Sequence, residues 1–397
     1  MKKIVLFKGG IETQGYFSEQ LAKAFIEMGH KVLLFDFERE AESSGELLRF
    51  IERGNTVMVT FNFHAISQDT ILLDENHEYI WEAFDIPCYN IVVDHPFYYH
   101  GFIEQVPPNY YHISIDRKHR DYMKRFFPEI HSDYFLPLAG TPVCGYEDLI
   151  PWNQKKSDFC FTGNYTPPNH FDKYIDRNGK EYGDFYRGMI AELLQHPNLT
   201  LEDVAERHIR REIPEVTEAE LKQTIPNLIF IDLYVRNVMR GKIIQTLVDS
   251  GFKVEVYGGG WDELACNRKE NLLWGGPLNS RECLEKIMAS KISVNVMPWF
   301  KDGAHDRIFN TMLNGAVCLT DSSLYLEEVL KDEENVLLYN PSHMAVVPEK
   351  VGRLLEESGQ KTLQNIREEA YHTALKDHTW ASRASVLEEW IEEKIEK

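Results

Sequence analysis

Two stretches of this sequence gather side chains that can move protons or hold anions. One is Val92–His100, VVDHPFYYH, in which Asp94 and His95 directly follow an apolar run. Either can deprotonate a hydroxyl, and an imidazole titrates close to neutrality. Both also suit structural work, His95 as a hydrogen-bonded core residue and Asp94 as a cap or turn former. Phe97, Tyr98 and Tyr99 can stack on a ligand ring or simply pack. Glu12, in KGGIETQG, and His64, just past TVMVTF, are further acid–base candidates. The second stretch is Pro298–Asn310, PWFKDGAHDRIFN. Asp306 opens a helical pattern there, and Arg307 lies one residue inside it. A guanidinium beside the free N–H groups of a helix start is suited to a diphosphate. The alternative for Arg307 is a surface ion pair, and for His305 a helix cap. Arg236 and Arg240 stand four apart on one face of a predicted helix, so both can point at a ligand or pair with acidic neighbours.

Strand and helix signals alternate along most of the chain and supply the elements that must position these groups. The predicted strands are Lys3–Phe7, Lys31–Phe37, Thr56–Phe61, Ile86–Val93 and His112–Ile115, then Asp158–Phe161, Lys253–Tyr257, Leu272–Trp274, Ile292–Met297 and Val317–Thr320. Helical periodicity falls between them at Phe17–Met28, Lys118–Phe127, Asp232–Ser250, Arg281–Ala289 and Asp306–Asn314, with a charged helix over Thr379–Lys397. Repeated β-α units imply parallel sheets covered on both faces. Ligands of such sheets bind beyond the carboxyl ends of the strands. That rule selects Gly163 and Asn164, the triplet Gly258, Gly259 and Gly260, Trp274, and the loop holding Asp302 and His305. The glycine loops suit close backbone approach to phosphate, or are merely turns. The C-terminal half therefore reads as the nucleotide side and the N-terminal half as the acceptor side.

Length and composition set limits on this picture. A chain of 397 residues favours two domains. No window approaches the ~20 apolar residues of a membrane span, and IVLF is too short for a signal segment, so a cytoplasmic protein is expected. The six cysteines form no metal-ligand spacing and fit a reducing compartment. A formal charge of −20 argues against nucleic acid as a partner. No G-x-G-x-x-G, P-loop or G-x-S-x-G pattern is present, which sets aside dehydrogenases, P-loop NTPases and α/β-hydrolases.

The stretch NVMPWFKDGAHDRIFNTMLNGAVCLTDSSLYLEEVLKDEENVLLYN resembles the donor-binding core of GT-B glycosyltransferases, in particular the CgeB-type, spore-maturation-protein-like group. DFCFTGNY, EVYGGGW and HTWASRASVLEEWIEE are similar to the first strand, second strand and closing helix of that fold. The resemblance implies two Rossmann-like α/β domains facing each other across a cleft. Residues 1–155 would hold the acceptor. Residues 156–375 would hold a nucleoside-diphosphate sugar such as a UDP-sugar, with a helical insertion about 170–230. Residues 376–397 would return to the first domain. It implies transfer of a sugar to a glycan, protein or small-molecule nucleophile. Related enzymes carry Glu-x7-Glu across the donor loop and helix, the second Glu holding the ribose. Here those positions are Asp302 and Asn310, and Asn310 can still hydrogen-bond a ribose. The chain has no Asp-x-Asp, so a metal-independent site with no separate cofactor is expected. A sugar-nucleotide epimerase or hydrolase, or a non-catalytic sugar-nucleotide-binding module, are the alternatives.

Overall fold

A computed structural model describes residues 1–67, 70–73 and 78–395. The chain forms two compact units, one of residues 1–139 with 377–397, the other of residues 140–376. The division falls after Ala139, ahead of the boundary at 155 read from the sequence. The Gly- and Pro-bearing stretch that follows Ala139 is fastened inside the second unit. Thr141 N–H donates to Asn310 Oδ1 at 2.8 Å, Val143 N–H to Asn314 Oδ1 at 2.8 Å, and Lys155 Nζ to the Met288 carbonyl at 2.7 Å.

The first unit is built on six parallel strands, β1 (Lys3–Lys8), β2 (Lys31–Asp36), β3 (Thr56–Phe61), β4 (Cys88–Val92), β5 (Tyr110–Ser114) and β6 (His131–Phe135), in the order β2-β1-β3-β4-β5-β6. Every residue of β3 and β4 is buried, as continuous apolar runs covered on both faces must be. β6 carries no such run. HSDYF is a polar edge strand, and its sequence gave no strand signal. Helix α1 (Glu12–Glu27) begins five residues earlier than its apolar period suggests, because the turn after β1 ends at Ile11. Gly29, at φ 90°, closes it with N–H bonds from Gly29 and His30 back to Ile26 and Phe25.

The helix Trp380–Ile395 belongs to this unit and buries Trp380, Ala384, Leu387 and Ile391. The predicted residues 396–397 of that helix lie outside the described residues. Trp380 packs 5.2 Å from Phe17 of α1. Arg383 is 6% exposed and acts as a four-way tie. Its guanidinium donates to the carbonyls of Pro137 (2.5 Å), Asp377 (2.9 Å) and Leu138 (3.2 Å) and lies 3.1 Å from His378 Nδ1. Burial, then the Arg383 charge, pushes the His378 pKa down to about 3, so its imidazole is neutral and can accept.

The second unit repeats the plan. Its strands are β7 (Ser157–Thr162), β8 (Val254–Tyr257), β9 (Leu272–Trp274), β10 (Ser290–Val294), β11 (Val317–Thr320) and β12 (Leu337–Leu338), all parallel, in the order β12-β11-β10-β7-β8-β9. The chain leaves β7 toward β8 on one side and returns on the other side as β10. The carboxyl ends of β7 and β10 therefore flank a topological switch point. Between β7 and β8 run α2 (Lys180–Gln195), α3 (Leu201–Glu212), α4 (Glu218–Thr224) and the long α5 (Ile229–Asp249). Thr200 caps α3, and Thr217 with Glu220 forms a capping box on α4, so each short helix has its own start signal. Helix α6 (Asp306–Leu313) follows β10. β12, only two residues long, was not legible in the sequence. Among the described residues no helix is long and apolar enough to cross a membrane, and all six cysteines are free thiols.

Arg383 gives the first test. Arg383→Met keeps the stem but takes a donor from the buried carbonyls of Pro137 and Leu138, from the buried His378 imidazole and from the carbonyl of exposed Asp377. At about 1–3 kcal/mol for each unsatisfied buried group, the variant should lose at least ~3 kcal/mol in urea unfolding. A loss under ~1 kcal/mol would show that the tie carries no weight.

Candidate functional site

In the second unit the structure collects three guanidiniums at the switch point. Arg307, on the first turn of α6, is 8% exposed. Its Nη1 donates to Asn295 Oδ1 at 2.7 Å and its Nε to Thr162 Oγ1 at 3.3 Å. Asn295 follows β10 and Thr162 ends β7, so the two central strands together hold one cation. Arg240, half-buried on α5, donates to the carbonyl of Asn164 in the loop after β7. The Phe161 ring lies 5.0 Å from the Arg307 guanidinium and 5.6 Å from that of Arg240. Arg236, one turn earlier on α5, sits 4.0 Å over the Trp299 ring and pairs with Asp232 at 2.9 Å. Arg240 also reaches Trp299, at 5.9 Å.

Burial, then the charges of Arg307 and Arg236, drives the Arg240 pKa well down, and burial alone lowers that of Arg307. Guanidiniums start so high that both stay protonated at neutral pH. Cations crowded together and partly out of water carry a standing electrostatic cost, which a bound anion would relieve. Neither Asn295, Thr162, Phe161 nor Trp299 was singled out from the sequence. The available signal was position, since each lies at the end of a strand or in the loop after one.

The helix start beside the cluster is partly closed. The side chain of His305 caps α6, its Nδ1 3.1 Å from Arg307 N and 2.7 Å from Asp306 Oδ1. Burial, then Arg307, holds its pKa down. Asp306 is different. Burial works against its charge, but His305 and Arg307 outweigh it and hold the carboxyl below the usual range. Asp302 is half-buried in the loop before the helix. Asn310 takes the Thr141 N–H on its Oδ1 and donates from its Nδ2 to Asp306 at 2.8 Å, so the side chain fastens the start of the helix.

Gly258 and Gly260 of the glycine triplet allow the close approach of a second loop. A Cβ on Gly258 would meet the Gly163 carbonyl at 2.5 Å, and one on Gly260 the Tyr165 carbonyl at 2.0 Å. Gly259 N–H donates to Asn164 Oδ1 at 2.8 Å, and Tyr165 N–H to the Gly259 carbonyl at 2.9 Å. Asn164 and the triplet thus lock the loops after β7 and β8 to each other. Trp274 ends β9, is 47% exposed as a residue, and donates its indole N–H to the Gly258 carbonyl at 2.7 Å. Gly163 lies against Arg307, whose Nη2 would be 3.2 Å from an added Cβ.

The first unit places its own candidates at the carboxyl ends of β1, β3 and β4. Asp94 is half-buried, and its Oδ2 accepts from Asn62 Nδ2 and the Tyr99 hydroxyl, both at 3.0 Å. His95 is 5% exposed and caps the next turn, its Nδ1 accepting from Phe97 N–H at 3.2 Å. Its ring packs 4.2 Å from Phe97 and 4.4 Å from His119. The structural role fits His95, and Asp94 is the open member of the pair. His64 stacks on Phe37 at 4.3 Å. It lies in a turn whose residues Asn62, Phe63 and Ala65 all have positive φ. Such strain persists only where neighbours over-determine it. Here Asn62 Oδ1 takes the Val93 N–H and Asn90 Oδ1 takes the Phe63 N–H. Glu12 is exposed at the start of α1, beside a small concavity shared with Lys8, Glu19 and Asp36.

Residues 240–389 match a family described as glycosyl transferase-like. No curated protein matches the sequence. Among solved structures, sucrose-phosphate synthase of Thermosynechococcus elongatus is similar over 99% of both chains at 10% identity, with a TM-score of 0.53. Anabaena HepE in complex with UDP-glucose aligns over 99% of this chain and 100% of its own at 9% identity, with a TM-score of 0.52. An α-glucosyltransferase in complex with UDP and a DNA 13-mer aligns over 100% and 99% at 12% identity, with a TM-score of 0.54. At these identities the likeness is one of fold, and the fold is GT-B.

The loop lock predicts a contrast between two glycines of nearly equal φ. Gly260, at 81°, meets Tyr165, whereas Gly276, at 78°, has nothing within 4 Å of an added Cβ. Gly276→Ala should cost only the left-handed penalty of about 1–2 kcal/mol. Gly260→Ala should cost clearly more and lower the melting temperature further. Equal losses in the two variants would show that the loops are not locked.

Proposed function

We propose that this chain is a glycosyltransferase that moves a sugar from a nucleoside-diphosphate sugar to a nucleophile on a glycan, protein or small molecule. The observation that carries the proposal is the convergence of Arg236, Arg240 and Arg307 on Phe161 and Trp299 at the switch point. The glycosyl transferase-like match spans Arg240 and Arg307. In this reading the diphosphate lies against Arg240, with Arg307 held behind it by Asn295 and Thr162. Departure of the nucleoside diphosphate builds negative charge on its terminal phosphate. Cations already fixed in place stabilise that charge most in the transition state, without reorganising. UDP is proposed as the nucleotide because two of the fold neighbours hold it. Affiliation with the CgeB-type group is part of the same proposal and rests on the Asp306-Arg307-x-Phe309 pattern.

Asp94 is proposed as the base that takes the acceptor's proton. Asn62 and Tyr99 orient its carboxylate, and its half-buried position leaves it open to a hydroxyl. Metal independence is also proposed. Its support is that the guanidiniums supply the positive charge a divalent ion would bring, and the reaction then needs no cofactor beside donor and acceptor.

Arg240 is the cleanest test, since it is half-buried and on the surface of its helix. Arg240→Gln should weaken UDP binding at least tenfold, in line with the 1.5–3 kcal/mol of a charge-assisted bond, about. Arg240→Lys should recover part of it. Undiminished UDP affinity in folded Arg240→Gln would remove the cluster from the site. Asp94→Asn should lower kcat roughly 10²-fold or more while leaving UDP affinity intact. Sugar transfer should survive EDTA, and loss of activity restored by manganese would overturn the metal-free reading.

A further inference from the structure

The second unit holds another concavity, of about 560 Å3, that none of the three arginines lines. It lies beyond the carboxyl ends of β10, β11 and β12, and its outer wall is the turn between α2 and α3. The helical segment between β7 and β8 thus encloses a space that the donor reading does not use. Asp321 and Tyr339 form its floor, Lys301 and Ser322 its sides, and His196, Asn198 and Asn340 its rim. A volume in the range of roughly 300–1,000 Å3 is that of small-molecule sites.

We propose that this cavity is a saccharide-binding site, separate from the donor site, that holds an uncharged polyhydroxyl segment of a glycan. The charge balance favours a neutral ligand. The lining has one carboxylate and one ammonium, and the ammonium is committed, since Lys301 Nζ donates to the carbonyls of Pro197, at 2.5 Å, and Pro298. The Lys301 charge is offset by the Asp321 carboxylate with which it interacts, so the lining offers a phosphate no surplus positive charge. Hydroxyl groups suit what remains, which is a carboxylate, amides, serine hydroxyls and an imidazole that both give and accept hydrogen bonds. Pro197, Pro298 and Leu338 add apolar faces for the C–H side of a sugar ring.

The walls are fixed before any ligand arrives, which spares the cost of ordering them. Leu199 N–H bonds the His196 carbonyl at 3.0 Å and closes the turn on the rim. Asn340 Oδ1 takes the Ser342 N–H at 2.8 Å. Both oxygens of Asp321 face the Met297 N–H, at 3.0 and 3.2 Å, and the Tyr339 hydroxyl donates to the Asn295 carbonyl at 3.1 Å. Burial raises the Asp321 pKa to about 6, so the carboxylate is ionised, and accepts, above that pH.

The site stands whether or not the donor reading holds, and the experiment keeps the two apart. Saturation-transfer NMR on the full chain at pH 7.5, without nucleotide, would use methyl glucoside, methyl galactoside, methyl N-acetylglucosaminide and a linear trisaccharide of each sugar. At least one should bind, trisaccharides more tightly than monosaccharides. Asn198→Trp, on the rim turn, and Ser322→Trp, on the β11 side, should each weaken that binding tenfold or more while UDP affinity stays unchanged. The pair comes from different elements, so misfolding of one leaves the other as the test. No binder in the panel, or binding indifferent to both variants, or displacement by inorganic phosphate, would overturn the proposal. Saccharide binding without UDP binding would leave this site standing and sink the donor reading.

Discussion

Holding Arg307 charged inside the second unit is the constraint on which the rest of that unit depends. A buried guanidinium is tolerated only when its donors are matched and its charge is offset. The matching comes from Asn295 and Thr162, which requires β10 and β7 to be neighbours with their carboxyl ends level. The offset comes in part from ionised Asp306, next to it on α6. The Phe161 ring covers the face of the guanidinium. Gly163 is needed because a side chain there would press on the same group. The switch-point order of the sheet is thus what lets one cation be fixed by two strands. Arg240 and Arg236 then add positive charge beside it, Arg236 in a pair with Asp232.

The first unit uses a neutral device for a similar end. Asn62 sits in a left-handed conformation and bonds in two directions, accepting the Val93 N–H and donating to Asp94. One amide therefore binds the turn after β3 to the loop after β4 and aims the carboxylate. The strain of three consecutive-turn residues at positive φ is spread over contacts from Asn90, Asn62 and Thr60. Strain sustained by that many partners is the kind found where geometry has a task.

How far the sequence could be read follows from what each feature leaves in one dimension. Continuous apolar runs such as TVMVTF and helix stops such as Gly29, Gly251 and Gly315 are local, so β3 and the helices they close were legible. β6 and β12 were not, because HSDYF is a polar edge and Leu337–Leu338 is too short to show a period. For the site, Arg236, Arg240 and Arg307 were legible as cations at loop and helix positions. Their mutual placement was not, since α5 and α6 are joined only by folding. The packing partner of the glycine triplet was hidden for the same reason. Three glycines announce a close approach but not what approaches, and the partner, the Gly163–Tyr165 loop, lies almost a hundred residues away. His95 and Asp94 are adjacent in sequence yet differ in exposure, and only the pleat of β4 and the packing of His119 decide which faces inward.

Asn310 shows why a departure from a family pattern can be coherent with the fold around it. At this position an amide accepts the Thr141 N–H and donates to Asp306, both at 2.8 Å. A glutamate could accept but not donate, and it would set a second carboxylate one turn from the first, a like-charge pair at i,i+4 that disfavours the helix. Asp306 in turn is kept ionised by His305 and Arg307, and its charge helps offset Arg307. The neutral residue at 310 therefore follows from the acid at 306, and the acid at 306 from the buried cation at 307. What the helix gains is a firm start beside the arginine cluster. What it gives up is a carboxylate acceptor on that face.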